Sequence, residues 1–130
     1  MGAAMGSFTK PAAIMVPRSR FFPVKKMKDL LILQSDAFTL NDEFMIRPNP
    51  QRSTALPFLP EVSFSDGFMA DNELGNWFAD PASLSLVDAE SFTVEGRVFF
   101  ERAVKILGRV KVQQTGAGEL RIPAGTVLSG

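Results

Sequence analysis

The sequence predicts a mainly β fold with short helices, ending in a parallel β-helix of the hexapeptide type. Three observations lead there. In the last third, Phe92, Val98, Val104 and Val110 recur every six residues, and Val94, Phe100, Ile106 and Val112 recur at the same step two places further on. Gly96 and Gly108 each stand two residues before a member of the first series. Upstream, Pro48, Pro50, Pro57 and Pro60 crowd one polar stretch and separate this repeat from a more mixed beginning. Three regions follow: a small α/β portion at 1–47, a Pro-rich linker with a short strand and helix at 48–82, and the β-helix at 83–130.

The repeat carries most of the fold argument. Simple alternation buries every second residue but sets no period of six. A hexapeptide β-helix does set one, because each short strand ends at a corner and the next repeats its plan. The competing arrangement is a three- or four-stranded antiparallel sheet with hairpins near the glycines. Phase-locking of the two apolar series favours the β-helix. Coils of this type ordinarily wind left-handed, against the usual crossover rule. The pattern slips at Gln113–Gly118 and resumes at Leu120, Ile122 and Val127, which predicts an excursion loop at a corner.

Taken in order, residues 1–9 are small and apolar and suit the tail of a helix. Ile14–Val16 reads as a strand closed by Pro17, and Pro23 keeps the Phe21–Phe22 pair out of a central ladder. From Lys28 to about Leu40 the apolar spacing is helical, with Asp29 in the first turn. Phe44–Ile46 is a short strand ending before Pro48, and Val62–Phe64 alternates like another. Asp71–Phe78 predicts a helix capped by Asp71 that carries Trp77 and Phe78 to a packing surface.

Composition narrows the function classes. The chain has 130 residues, 45% of them apolar, enough for one modest domain or a domain with an appendage. Lys plus Arg and Asp plus Glu each number 14, so bulk charge argues neither for nucleic acid nor for an anionic membrane. With no cysteine and no histidine, disulfides, thiolate and Ser–His nucleophiles, and the commonest transition-metal ligands are excluded. A stand-alone hydrolase does not fit this inventory. No membrane span or signal peptide is visible, and the Met1–Ser7 start breaks the myristoylation motif at Gly6, so the expected address is cytoplasmic.

The chemistry is local. Arg18, Arg20, Lys25, Lys26 and Lys28 fall within a dozen positions that hold two prolines, two phenylalanines and no acid. A stiff cationic loop suits a phosphorylated small molecule. Lys25, tethered behind Pro23–Val24, can place a compact ammonium against phosphate oxygens. Reactions at phosphate gather negative charge on the reacting oxygens, and a fixed cation there favours the transition state. Local chemistry by itself leaves Lys25 closer to an ordinary solvated surface lysine.

The run Val16-Pro17-Arg18-Ser19-Arg20-Phe21-Phe22-Pro23-Val24-Lys25, followed by Asp29-Leu30-Leu31 and Gln34-Ser35-Asp36, resembles a segment of UTP–glucose-1-phosphate uridylyltransferases, the UDP-glucose pyrophosphorylases. Ser85–Asp88, Phe92–Val98 and Ile122–Val127 are similar to that family's C-terminal β-helix as well. The resemblance covers nearly the whole chain and is weakest at about 49–82. It implies that 1–47 is the C-terminal edge of a nucleotidyltransferase catalytic domain, and that Lys25 is a catalytic, substrate-binding residue contacting phosphate. It implies UTP and glucose 1-phosphate as substrates, UDP-glucose and pyrophosphate as products, Mg²⁺ accompanying the nucleotide, and homo-oligomerisation through the β-helix. Lys26 and Lys28 match no fixed family lysine.

In that family the glycine-rich nucleotide loop, the uridine and sugar pockets and the metal-binding carboxylate lie upstream of this segment, and no phosphate-cradling glycine motif occurs here. The chain is therefore expected to be a C-terminal fragment, inactive alone and without a metal ligand of its own. Two alternatives stand beside this. One is an oligomerisation or scaffold module without catalysis, in which Phe99, opposite Val98 and Phe100, makes the subunit contact unless the chain's own loops cover it. The other is a related UDP-sugar or UDP-N-acetylhexosamine pyrophosphorylase, against which the Arg18/Arg20 pair and the Gln34–Asp36 ending favour glucose.

Overall fold

Eight strands and one α-helix organise the chain in the structure, a computed structural model describing residues 6–16, 21–65 and 73–130. The helix α1 spans Met27–Gln34. The strands are β1 Phe38–Leu40, β2 Ile46–Pro48, β3 Glu61–Phe64, β4 Ala89–Glu95, β5 Val98–Phe100, β6 Lys105–Gln113, β7 Leu120–Ile122 and β8 Val127–Ser129. Two single 3₁₀ turns, Leu74–Asn76 and Pro81–Ser83, lie between β3 and β4. The fold is mainly β.

Every ladder in the last third is parallel among the described residues, which removes the antiparallel alternative. One sheet has the order β3-β4-β6-β8, and β5 pairs with β7 in another. Phe92 lies opposite Val110 and Val94 opposite Val112, eighteen positions on. Val98 faces Leu120 and Lys105 faces Val127, twenty-two positions on. Isolated parallel bridges join Phe78 to Phe100 and Ser85 to Lys105. The excursion at 114–119, between β6 and β7, lengthens the later spacing.

All eight residues of the six-step series are buried, from Phe92 and Val94 at 0% exposed to Val112 at 8%. Within a strand the members lie on the same, inward side because alternate residues point the same way. A column of rings fills the centre. Phe78 stacks on Phe100 at 5.1 Å between centroids, Phe92 meets Phe100 edge-on at 5.5 Å, and Phe64 meets Phe92 at 6.5 Å. Gly96 and Gly108 both hold positive φ, +83° and +70°. At Gly108 strand β6 changes partner, pairing with β8 before it and with β4 after it. The corner conformation there is one L side chains disfavour.

Several sequence expectations are corrected. Ile14–Val16 forms no strand: Ile14, Met15 and Val16 are 88%, 94% and 60% exposed, and no neighbouring chain pairs with them among the described residues. An extended segment without a ladder leaves its backbone groups to water. The first helix stops at Gln34 rather than near Leu40. Ser35 ends it, its N–H donating to Leu31 O at 3.0 Å and its Oγ to Ile32 O at 2.8 Å. Serine and aspartate bond readily to nearby backbone and so terminate helices. Phe38–Leu40 then pairs antiparallel with Ile46–Pro48, and this second strand includes Pro48 instead of ending before it. The hairpin tip is held by Asn41 Oδ1, which accepts from Glu43 N and Met45 N at 3.1 and 2.8 Å.

The expected Asp71–Phe78 helix is only the Leu74–Asn76 turn in its described part, and its Asp71 cap lies outside the described residues. Trp77 and Phe78 are nevertheless buried as that helix was to bury them. Val127 resumes the strand pattern in β8 yet is 54% exposed, so the repeat's burial fades at the chain's last strand. The expected strand at Val62–Phe64 is present as β3 and lies parallel to β4.

Candidate functional site

The basic segment is anchored by aromatic side chains on both sides. Phe22 meets Phe38 edge-on at 5.2 Å, and Phe38 meets Phe58 at 5.9 Å, so the loop, the hairpin and the Pro-rich stretch share one cluster. Phe58 was not singled out in the sequence, where it reads only as one apolar residue between prolines. Together with Leu59 it faces Phe21, Phe22, Pro23 and Lys25 across a recess of about 490 Å³, to which α1 adds Asp29 and Ile32. Lys25 is exposed at this recess. A ligand there would meet an apolar wall, the Lys25 ammonium and the Asp29 carboxylate, which is engaged by two backbone N–H groups.

The first turn of α1 sets the backbone at Lys25. Asp29 Oδ2 accepts from the N–H of Lys25 and of Lys26, both at 2.9 Å, the reach-back half of a capping box. Burial tends to raise the Asp29 carboxyl, but those two N–H groups and the charges of Lys28 and Lys26 outweigh it and hold the group below its ordinary value. Asp29 therefore stays ionised and the loop stays tied to the helix. Lys26 is exposed and Lys28 half-buried on the same turn. Arg18 and Arg20 lie outside the described residues.

The far end of α1 is pinned to the parallel sheets. Asp36 Oδ1 accepts from Leu86 N at 2.6 Å and Val87 N at 2.9 Å, and Ser85 Oγ donates to its Oδ2 at 2.6 Å. Within the Gln34–Asp36 ending, Asp36 makes a structural clasp. Arg52 grips the same turn from the other side. Its NH1 donates to Leu86 O and Val87 O at 3.0 and 2.9 Å, and its Nε and NH2 donate to Pro57 O. Arg52 as a whole is 7% exposed. Burial draws its pKa down, while Asp88 and Asp36 oppose that pull, and an arginine remains charged throughout.

Arg52 escaped sequence reading, although a signal existed: it is the sole charged residue between Pro48 and Pro60. Phe99 proves to be half-buried, with the Arg121 guanidinium 4.5 Å from its ring centroid. Arg121 also pairs with Glu101 and Glu119 at 3.1 Å each. The chain's own next strand thus covers part of that ring. No group of three or more acidic, histidine or cysteine side chains able to hold a metal occurs among the described residues. No helix among them is long and apolar enough to cross a membrane.

Comparison with known proteins adds a family. The profile described as UTP--glucose-1-phosphate uridylyltransferase matches residues 1–107. The chain is 39% identical over 129 residues to the UTP--glucose-1-phosphate uridylyltransferase of Solanum tuberosum, and 40% over 128 residues to that of Hordeum vulgare. Each match covers 98% of this chain and 26% of the relative, so the chain spans about a quarter of their length. Among solved structures, the UDP-glucose phosphorylase of Trypanosoma brucei superposes with a TM-score of 0.74 at 31% identity, covering 99% of this chain and 27% of that one. A mutant UDP-glucose pyrophosphorylase of Leishmania major, in complex with UDP-glucose, gives 0.75 at 32%, covering 99% and 26%.

Proposed function

This chain belongs to the UTP–glucose-1-phosphate uridylyltransferase family, and from that premise we propose that it is the C-terminal part of an enzyme making UDP-glucose and pyrophosphate from UTP and glucose 1-phosphate. The observation that carries the reading is the placement of Lys25, an exposed cation on a loop fixed by Asp29 and the Phe22–Phe38–Phe58 cluster, at the edge of an open recess. In the reaction a phosphate oxygen of the sugar phosphate bonds to the α-phosphorus of UTP. The bond from that phosphorus to the bridging oxygen breaks, and pyrophosphate leaves with the electron pair. Lys25 would neutralise the charge gathering on these oxygens.

Divalent metal, Mg²⁺ in this reading, screens the phosphates when the nucleotide is bound. The described residues offer no ligand set for it, and the role of Lys25 does not pass through it. The nucleotide and sugar pockets would come from the part of the enzyme beyond this quarter, and the isolated segment would be inactive. The domain division at 1–47, 48–82 and 83–130 and a cytoplasmic address belong to the same reading.

We further read the parallel ladders as turns of a hexapeptide-type β-helix. Pairing eighteen positions apart equals three six-residue strands per turn, which supports this. Self-association through the end of that coil is supported by β8, which closes the sheet order as an edge strand and carries exposed Val127. Val127→Glu should lower the mass of the assembly in light scattering if that edge pairs; an unchanged mass would refute the contact.

The enzyme reading is tested by the intact mass of the endogenous protein carrying this segment, followed by Lys25→Ala. A mass several times 14.2 kDa, and a kcat lower by about 10²–10³-fold in the variant, are the expected results. A mass near 14.2 kDa would overturn it and leave an assembly module.

A further inference from the structure

The helix that begins beside Lys25 ends beside Asp36, and the two ends are fixed to different parts of the molecule. We propose that the parallel sheets set the working position of Lys25 through α1, with Asp36 as the positioning residue and Arg52 as its support. This rests on the role proposed for Lys25 above and adds how that role is maintained.

Three features support the coupling. α1 has eight residues, about 12 Å of rigid rod at 1.5 Å each, with Leu31 fully buried and Ile32 nearly so. Its leading end is joined to the Lys25 backbone by Asp29 Oδ2. Its trailing end is joined to the Ser85–Val87 turn by the three hydrogen bonds of Asp36, which are charge-assisted and therefore among the stronger kind.

The turn itself is held from both sides. The N–H groups of Leu86 and Val87 go to Asp36, while their carbonyls go to Arg52. Opposite charges from the first half of the chain thus close on two successive residues of the second half. Nothing in local packing demands this, since a neutral capping side chain could end α1 as Ser35 already does. What the clasp adds is a fixed distance between the sheets and the loop. A shift of about 1 Å in a catalytic group is enough to cost on the order of 10²-fold in rate.

The test is a double-mutant cycle in the full-length enzyme carrying this segment, with kcat and both KM values measured. Asp36→Ala should lower kcat about 10–100-fold with KM changed less than about 3-fold. Asp36→Asn keeps an oxygen for the Leu86 and Val87 N–H groups and should restore most of the rate. In the Lys25→Ala background, Asp36→Ala should cost less than about 2-fold more, because its effect runs through the missing lysine. Equal losses in both backgrounds, or no loss on Asp36→Ala while Lys25→Ala is impaired, would overturn the coupling alone. An unimpaired Lys25→Ala would overturn the role of Lys25 and the coupling with it. Should Asp36→Ala fail to fold, Ser85→Ala, which removes one of the three bonds, is carried through the same cycle and judged by the same criterion.

Discussion

Replacing Gly96 by alanine should destabilise this chain far more than the size of a methyl group suggests. Gly96 sits directly after β4 with φ +83°, where an L residue costs about 1–2 kcal/mol. Its absent Cβ is also a close approach. A methyl built there would stand 2.0 Å from the carbonyl oxygen of Gln114 and 3.0 Å from its carbonyl carbon. Both are backbone atoms, so relief requires the end of β6 to move. That end is held by Gln114 N donating to Glu95 O at 2.8 Å, a bond worth about 0.5–1.5 kcal/mol net if it is lost. Together these give a loss of about 1.5–3.5 kcal/mol. The single tryptophan, Trp77, is buried and gives a fluorescence signal for urea unfolding. A lower midpoint at unchanged slope is the expected trace. Gly118→Ala is the control: its φ is ordinary and no atom lies within 4 Å of a Cβ there, so the change should stay within about 0.5 kcal/mol. If Gly96→Ala costs under about 1 kcal/mol, less than the conformational strain by itself, the reasoning about this corner is wrong.

Two further outcomes are expected from the same unfolding measurement. Phe100→Ala removes the ring between Phe78 and Phe92 and should cost about 3–5 kcal/mol; a loss near 1 kcal/mol would mean the column collapses around the gap. Asp29→Ala should cost about 1 kcal/mol at neutral pH by freeing the N–H groups of Lys25 and Lys26. Because the folded chain holds this carboxyl below its unfolded value, its contribution is complete above about pH 4 and fades as pH falls through the lower folded value. The gap between wild type and variant should therefore narrow below about pH 4, and a gap independent of pH would exclude the ionised cap.

The exposed apolar side chains divide the molecule unevenly. Of the large ones more than a third exposed, Val127 is the sole member after Leu59 among the described residues, while Phe8, Ile14, Met15, Phe44 and Phe58 are each 65% exposed or more. A surface of that kind normally meets another surface. That distribution agrees with a chain spanning a quarter of its relatives' length. The apolar residues Ile14–Val16 suit a strand by sequence, and only the structure shows that nothing among the described residues pairs with them.

By itself the sequence determined the burial plan of the last third. A period of six with two locked apolar positions marks eight side chains for burial, and all eight are hidden. It also carried the family, because the Pro23–Val24–Lys25 run and its neighbours form a long, specific string rather than a pattern of polarity. Tertiary structure decided what periodicity does not encode. The repeat favoured parallel strands, but the exact register, with partners eighteen residues apart in one ladder and twenty-two in another, depends on which segments meet. Where the segment after α1 is fastened was decided by Asp36, whose acceptors are satisfied by Ser85, Leu86 and Val87, some fifty positions away. Arg52 looked like loop punctuation because a side chain's burial is fixed by the chain folded over it. Its partners are carbonyls of Leu86 and Val87, and backbone groups leave no mark in a sequence.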